Sequence, residues 1–346
     1  MIEDLPSDQE YLERLMRNTA SPHLSEMKDH FIKQANDAVD EQIKNGIIDV
    51  SERQRYLDIQ LEGLDPSKVF QNDVLRRLRS SVLSLLVGTD GARMETVPVG
   101  ILSVYEMNAF AIRTPRGGEA VALNAGLWSY LKVGVYCVLA MMFRKTKDGF
   151  GKHHPDETYA LNLFRLVELM KAGGGLITMV RNGDCSIADC VGPSARPEPF
   201  VVNTMKRAFT FILLHEFGHI SHGHLNVDLT RRAKIGFGEK VDIYLTSHNQ
   251  EYEADEFATQ CIITKYKEDE VGSAAFWLSI SILFFLFDLC EDTRHPEILG
   301  THPASRLRLD RIKGACLNLL EGESRGQVLD AMNHCVLCFD ILRKFR

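Results

Sequence analysis

Residues 211–224 read Phe211-Ile-Leu-Leu-His-Glu-Phe-Gly-His-Ile-Ser-His-Gly-His224. Within them His215, Glu216 and His219 form the pattern His-Glu-x-x-His. On an α-helix, positions i and i+4 stand about 40° apart around the axis. The imidazoles of His215 and His219 then face one point and can hold one zinc ion. Glu216 is turned about 100° from His215. From there it reaches a zinc-bound water without being a ligand, and it is the expected general base. Phe209, Phe211, Ile212, Leu213 and Leu214 precede the motif and cover every face of the helix. A helix apolar all round is buried. Two imidazoles and a carboxylate inside it are costly unless something satisfies them, and zinc does so. The plain alternative is a hydrogen-bonded internal histidine pair.

Two imidazoles leave a zinc site incomplete. Residues 249–262 read Asn-Gln-Glu-Tyr-Glu-Ala-Asp-Glu-Phe-Ala-Thr-Gln-Cys-Ile. On a helical wheel Glu251, Ala254, Asp255, Ala258, Cys261 and Ile262 share one face, while Glu253, Glu256 and Gln260 share the other. Two acids thus interrupt an apolar stripe. A buried carboxylate needs a cation or donors. Glu251 as third zinc ligand meets that need, and Asp255, one turn on, can accept the free ring N–H of a zinc-bound histidine. Glu253 is expected to be solvated and to leave the metal alone. His222 lies about 10 Å along the axis from His215, too far to share its metal. The longer pattern His-Glu-x-x-His-x-x-Gly-x-x-His fails, with His222 at its Gly and Leu225 at its last His. Gly223 is expected to end the helix. His224 is open to a cleft, capping or surface role.

The rest of the chain sets bounds. It has 346 residues, 45% hydrophobic and 25% charged, which excludes wholly disordered, collagen-like, coiled-coil and polytopic membrane classes. The net charge of −7 argues against nucleic acid as a partner. Eight scattered cysteines and an acidic start without an apolar run point to the cytoplasm. The apolar stretch 274–287 is too short to span a bilayer. It reads as a core helix, with membrane contact as the weaker reading. Residues 10–16 and 70–79 carry helical spacing, Asp65-Pro66-Ser67 reads as a helix start, and 87–93 reads as a loop. Residues 108–113 and 119–123 alternate about the turn Thr114-Pro-Arg-Gly-Gly118, a hairpin pattern, and a helix is expected from Gly126. Between 145 and 200 glycine and proline predict loops around one helix near 157–172. Cys335-x-x-Cys338 reads as part of a core helix, and Cys185 and Cys190 lie in an expected loop.

His215 and His219, Glu251-x-x-Ala254-Asp255, and His302-Pro303 with Arg308 together resemble the gluzincin peptidases, in particular the HtpX and CAAX prenyl endopeptidase family. That family also has a hairpin ahead of its zinc helix. Here the matching residues are Asn108-Ala-Phe-Ala111, Gly117-Gly118 and Gly126-Leu127. The resemblance runs in patches over residues 100–312. It lacks the family's long membrane helices, and a soluble relative such as the Lit family of phage-exclusion proteases fits that difference. The resemblance implies Glu251 as third ligand, Asp255 as the acid behind a ligand imidazole, and His302 and Arg308 as groups assisting at the cleft. It also implies that the hairpin's edge strand binds peptide by β-augmentation.

The expected fold is α+β: a mostly helical, zincin-like metallopeptidase domain with a small sheet over residues 93–346. An N-terminal helical region over 1–92 would support it or bind an activating or inhibitory protein. The expected function is a zinc-dependent endopeptidase acting on a protein or peptide, with one zinc per chain and Glu216, His302 and Arg308 as catalytic candidates. The alternatives are a gated or inactive zinc-binding regulatory module and a non-peptidase zinc amidohydrolase.

Overall fold

The computed structural model of the chain describes residues 5–18, 36–37, 39–44, 46, 48–57, 75–86, 89–102, 108–146, 149–152, 199–226, 230–235, 239–244, 247–266, 269–291, 302–320 and parts of 322–333. The expected helix near 157–172, Cys185, Cys190, Cys335, Cys338 and the Asp65-Pro66-Ser67 start lie outside the described residues.

The elements follow in chain order. Helices α1 (Asp8–Asn18), α2 (Leu75–Leu83) and α3 (Thr89–Thr96) come first, then strands β1 (Val99–Leu102), β2 (Ala109–Arg113) and β3 (Glu119–Asn124). Helix α4 (Ala125–Met142) and the hairpin β4 (Phe143–Thr146) and β5 (Gly149–Lys152) come next. Helix α5 (Pro199–Ser221) is followed by the hairpin β6 (Thr230–Ile235) and β7 (Glu239–Tyr244). Helices α6 (His248–Tyr266), α7 (Glu270–Cys290) and α8 (Ser305–Leu319) close the series. The architecture is α+β and mostly helical, with one small three-stranded sheet.

That sheet contains the expected hairpin. Strand β3 is central, parallel to β1 and antiparallel to β2, with Ala111 opposite Val121. The turn closes through Gly117, whose φ of +83° is left-handed, a region glycine enters at no steric cost. One face of the sheet belongs to the main core, through Ala111, Val121 and Leu123. The other face, through Phe110, Ile112, Ala120 and Ala122, is covered by Leu12 and Leu15 of α1. Helix α1 starts at a capping box: the Ser7 N–H donates to Glu10 Oε2 at 2.7 Å and the Glu10 N–H to Ser7 Oγ at 3.3 Å. It is pinned to the hairpin turn by the Thr114 hydroxyl, which donates to Asp8, and by Arg116 Nε, which donates to the Leu5 carbonyl at 2.6 Å.

Residues 89–93 of the loop expected over 87–93 belong instead to α3, and 87–88 lie outside the described residues. Met94 on that helix is fully buried, and this tertiary packing outweighs the local preference of its glycine and aspartate. Residue 92, where the chain changes character in sequence, lies inside this helix. Helix α2 sits in the main core through Leu78 and Val82. Helix α7 extends the apolar stretch 274–287 at both ends and is, by length and composition, long and apolar enough to cross a membrane. Its Trp277, Ile280, Leu283 and Phe284 face the interior and pack in that same core.

Candidate active site

Helix α5 is central because almost every side chain from Phe209 to Ile220 is apolar and buried. Its polar exceptions are Thr210, whose hydroxyl donates to the Lys206 carbonyl, and His215, Glu216 and His219, all of them buried, Glu216 at 6% exposure. Helix α6 lies along α5. Its start is set by a second capping box, in which the Ser247 N–H donates to Gln250 Oε1 at 2.7 Å and the Gln250 N–H to Ser247 Oγ at 3.3 Å. This helix start fixes the register of the next residue, Glu251. The two helices touch where Gly218 meets Ala254: a Cβ on Gly218 would stand 2.9 Å from Ala254 Cα. Helix α8 packs on α6 and supplies Arg308, while His302 sits just ahead of it.

The wheel prediction for α6 holds except at Cys261, which is half-buried. Glu251, Ala254, Asp255, Ala258 and Ile262 are buried, and Glu253, Glu256 and Gln260 are exposed. His215 Nε2 and His219 Nε2 lie 3.1 Å apart. Glu251 Oε2 is 3.5 Å from the first, and its Oε1 is 3.4 Å from the second. Bonds of about 2.0–2.1 Å to a tetrahedral ion place neighbouring ligand atoms about 3.3 Å apart. The two ring nitrogens and the two carboxylate oxygens therefore lie at spacings suited to neighbouring ligands of one ion. The chemistry fits as well. His215 Nδ1 lies 2.9 Å from Asp255 Oδ1, a group that can only accept. Nδ1 must then carry the ring proton, which leaves Nε2 of a neutral ring a bare lone pair facing the other candidate ligand atoms. His215, His219 and Glu251 can hold a metal ion.

Charge points the same way. Burial opposes ionisation of Glu251, but His215, His219 and His302 outweigh it and hold the carboxyl well below the usual range. Burial also opposes the charge on Asp255, and Arg308 and His215 overcome it. Burial likewise disfavours charge on His215, yet Asp255 and Glu251 lift it to about 9.

Arg308, expected at the cleft, is buried behind the His215 imidazole. Its Nε and NH2 donate to the two Asp255 oxygens at 2.8 and 2.7 Å, and its guanidinium lies 5.1 Å from the Phe284 ring centroid. His302 reaches Glu251 Oε2 through Nδ1 at 2.7 Å and is 49% exposed. Tyr252, beside Glu251 on α6, lies under the Arg311 guanidinium at 4.0 Å.

The sequence reading missed one group of contacts. Helix α5 ends as expected at Gly223, whose φ is +69°. The reversal there turns His224 back onto the helix it has just left. His224 is buried, with Nδ1 2.9 Å from His219 Nδ1 and Nε2 2.9 Å from Glu253 Oε2. Glu253, expected to be solvated and idle, is 53% exposed, yet it is bonded to His224. Burial and the neighbouring His219 lower the pKa of His224 despite Glu253. No feature of the local sequence signals this contact, because it depends on the turn at Gly223 and on the packing of α6 against α5.

Comparison with known proteins adds one finding. The family model described as Peptidase U49, a Lit-like peptidase family, matches residues 122–325. No curated protein and no solved structure matches. The matched span covers more than half of the 346 residues and contains α5, α6, α8 and every side chain of the cluster. The chain belongs to the U49 family of peptidases, and it acts as a peptidase on protein or peptide substrates.

Proposed function

We propose that this peptidase is a zinc-dependent endopeptidase with a zincin-like catalytic domain, holding one zinc between His215 Nε2, His219 Nε2 and the Glu251 carboxylate. The observation that carries the reading is the buried His215–His219–Glu251 cluster, whose two ring nitrogens lie 3.1 Å apart with one Glu251 oxygen 3.5 Å from the first and the other 3.4 Å from the second. When bound there, zinc supplies a Lewis acid that lowers the pKa of water and polarises a carbonyl. The protein's own groups do the rest. Asp255 accepts the Nδ1 proton of His215 and fixes that ring's tautomer and direction. Arg308 is a positioning residue: its two hydrogen bonds hold Asp255 in place and offset its charge. Glu216, next to His215 on α5, takes a proton from the attacking water and passes it to the leaving amine. His302, half open to solvent and bonded to Glu251, is placed to donate to a substrate oxygen at the mouth of the site. The edge strand β2 would take an extended peptide as a further strand. The scattered cysteines, too sparse for a disulfide scaffold, are what supports a cytoplasmic setting for the proposed enzyme.

The test joins metal analysis with cleavage mapping. The purified chain should carry about one zinc and create new N-termini in a mixture of native proteins. Glu216→Gln keeps size and hydrogen bonding but cannot act as a base. It should keep the zinc and lose about 10²–10⁴-fold in turnover. Unchanged turnover in Glu216→Gln, or full zinc retention in both His215→Ala and His219→Ala, would overturn the reading.

A further inference from the structure

His224 and Glu253 have no part in the chemistry just described, yet their atoms continue directly from a candidate metal ligand. The three polar contacts form one line: Glu253 Oε2 to His224 Nε2 at 2.9 Å, His224 Nδ1 to His219 Nδ1 at 2.9 Å, and His219 Nε2 into the cluster. The tautomers along this line follow from its outer end. A carboxylate only accepts, so His224 Nε2 carries a proton and donates it to Glu253. A neutral His224 then has a bare Nδ1, which accepts from His219 Nδ1–H. With its proton on Nδ1, His219 is left with a bare Nε2 directed at the other two ligand atoms. The same logic runs through Asp255 to His215, with one carboxylate acting directly instead of through a second ring. The two ligand imidazoles are thus set by different devices: one buried and direct, the other two residues long and open to water at Glu253.

His224 is built into place for this. Gly223, at φ +69°, makes the reversal that aims its ring inward. The His222 ring stacks on it with centroids 5.5 Å apart and planes 26° apart, and His222 is itself anchored by Nδ1 to the Gly218 carbonyl at 2.9 Å. A ring so held cannot turn away from His219 without losing its stack and both hydrogen bonds.

We infer that His224, oriented by Glu253, is a positioning residue that fixes the tautomer and direction of His219 and thereby raises the affinity of the site for its metal. The inference rests on the proposed role of His219 as a ligand. Outer hydrogen bonds of this kind typically change metal affinity about 10–100-fold.

The experiment measures zinc affinity by competition with a chromophoric chelator on the full chain, for wild type, His219→Ala, His224→Leu, His224→Asn and Glu253→Ala. Thermal unfolding of each metal-free protein is followed alongside. Leucine keeps a buried apolar volume but accepts no hydrogen bond. Asparagine offers its Oδ1 near the place of the lost Nδ1. His224→Leu should bind zinc about 10–100-fold more weakly at unchanged stoichiometry. His224→Asn should recover most of that loss. Glu253→Ala should show a smaller loss, since water can replace a half-exposed carboxylate. If His219→Ala removes zinc while His224→Leu binds as tightly as wild type, this inference fails and the metal site stands. Equal weakening in His224→Asn and His224→Leu would also overturn it, because packing alone would then explain the effect. If wild type holds no zinc, or His219→Ala holds it fully, the metal reading and this inference fall together.

Discussion

Arg308 and Arg311 stand three residues apart on one helix, each facing an acid of α6, and the structure assigns them different weights. Arg308 is buried and bidentate on Asp255. Removing one partner of a buried pair leaves the other charged and without compensation, at a cost of about 3–5 kcal/mol. Arg308→Ala should therefore lower unfolding free energy by about that amount and weaken zinc binding through the loosened His215. Arg311 meets Glu256 at 3.3 Å with both side chains about half exposed. Arg311→Ala should change stability by no more than about 1 kcal/mol, after solvent screening. Urea denaturation of the two variants side by side checks the contrast, and equal losses would contradict it. In the sequence only the resemblance singled out Arg308. Local composition does not say which guanidinium is covered, since Leu307, between Arg306 and Arg308, is itself exposed while Ile312 and Cys316 on the same helix are buried. Glu251 and Asp255 were legible because two acids in an otherwise apolar stripe can be recognised from period 3.6 alone.

At the level of elements, the site is the seam between α5 and α6, and its width is set by backbone. Gly218 lies between Glu216 and His219 in sequence and against Ala254 in space. A methyl group there would stand 2.9 Å from Ala254 Cα and 3.1 Å from its carbonyl oxygen, so the helices would have to part. Overpacking of this kind costs about 1–3 kcal/mol, more than the gain of up to about 1 kcal/mol in helix propensity. Gly218→Ala should destabilise the protein and weaken zinc binding, because His219 and Glu251 ride on opposite sides of the seam. Gly314, inside α8, has open space where a methyl group would stand, with no atom within 4 Å, and Gly314→Ala should instead stabilise by about 0.5–1 kcal/mol. Opposite signs in thermal unfolding are the expected result, and the same sign in both would refute the geometry. Elements with strong periodicity were readable in advance: the hairpin of β2 and β3, the apolar α5 and the two-faced α6. Helix α3 was not, because its Gly and Asp argue locally for a loop and only the burial of Met94 reverses them. The contact of His224 with Glu253 was unreadable for a related reason, since it joins a reversal at Gly223 to a neighbouring helix 29 residues further on.

On the scale of the whole molecule, α1 closes the outer face of the sheet while the metal cluster lies on helices beyond the inner face. The two should respond separately to mutation. Leu12 is fully buried against the strands, and Leu12→Ala should cost about 2–5 kcal/mol of stability with zinc content unchanged. Calorimetry together with metal analysis tests this, and loss of zinc from the folded variant would show that the sheet shapes the site. The position of α1 also has a consequence for synthesis. Asp8 and its partner Thr114 are separated by 106 positions in the chain. A ribosome adding about 5–20 residues per second needs about 5–20 s to cover that distance. Through this interval the leucines of α1 are already made and the strands they will cover are not. A nascent chain of this protein thus leaves the apolar side of this segment uncovered until the hairpin emerges to receive it.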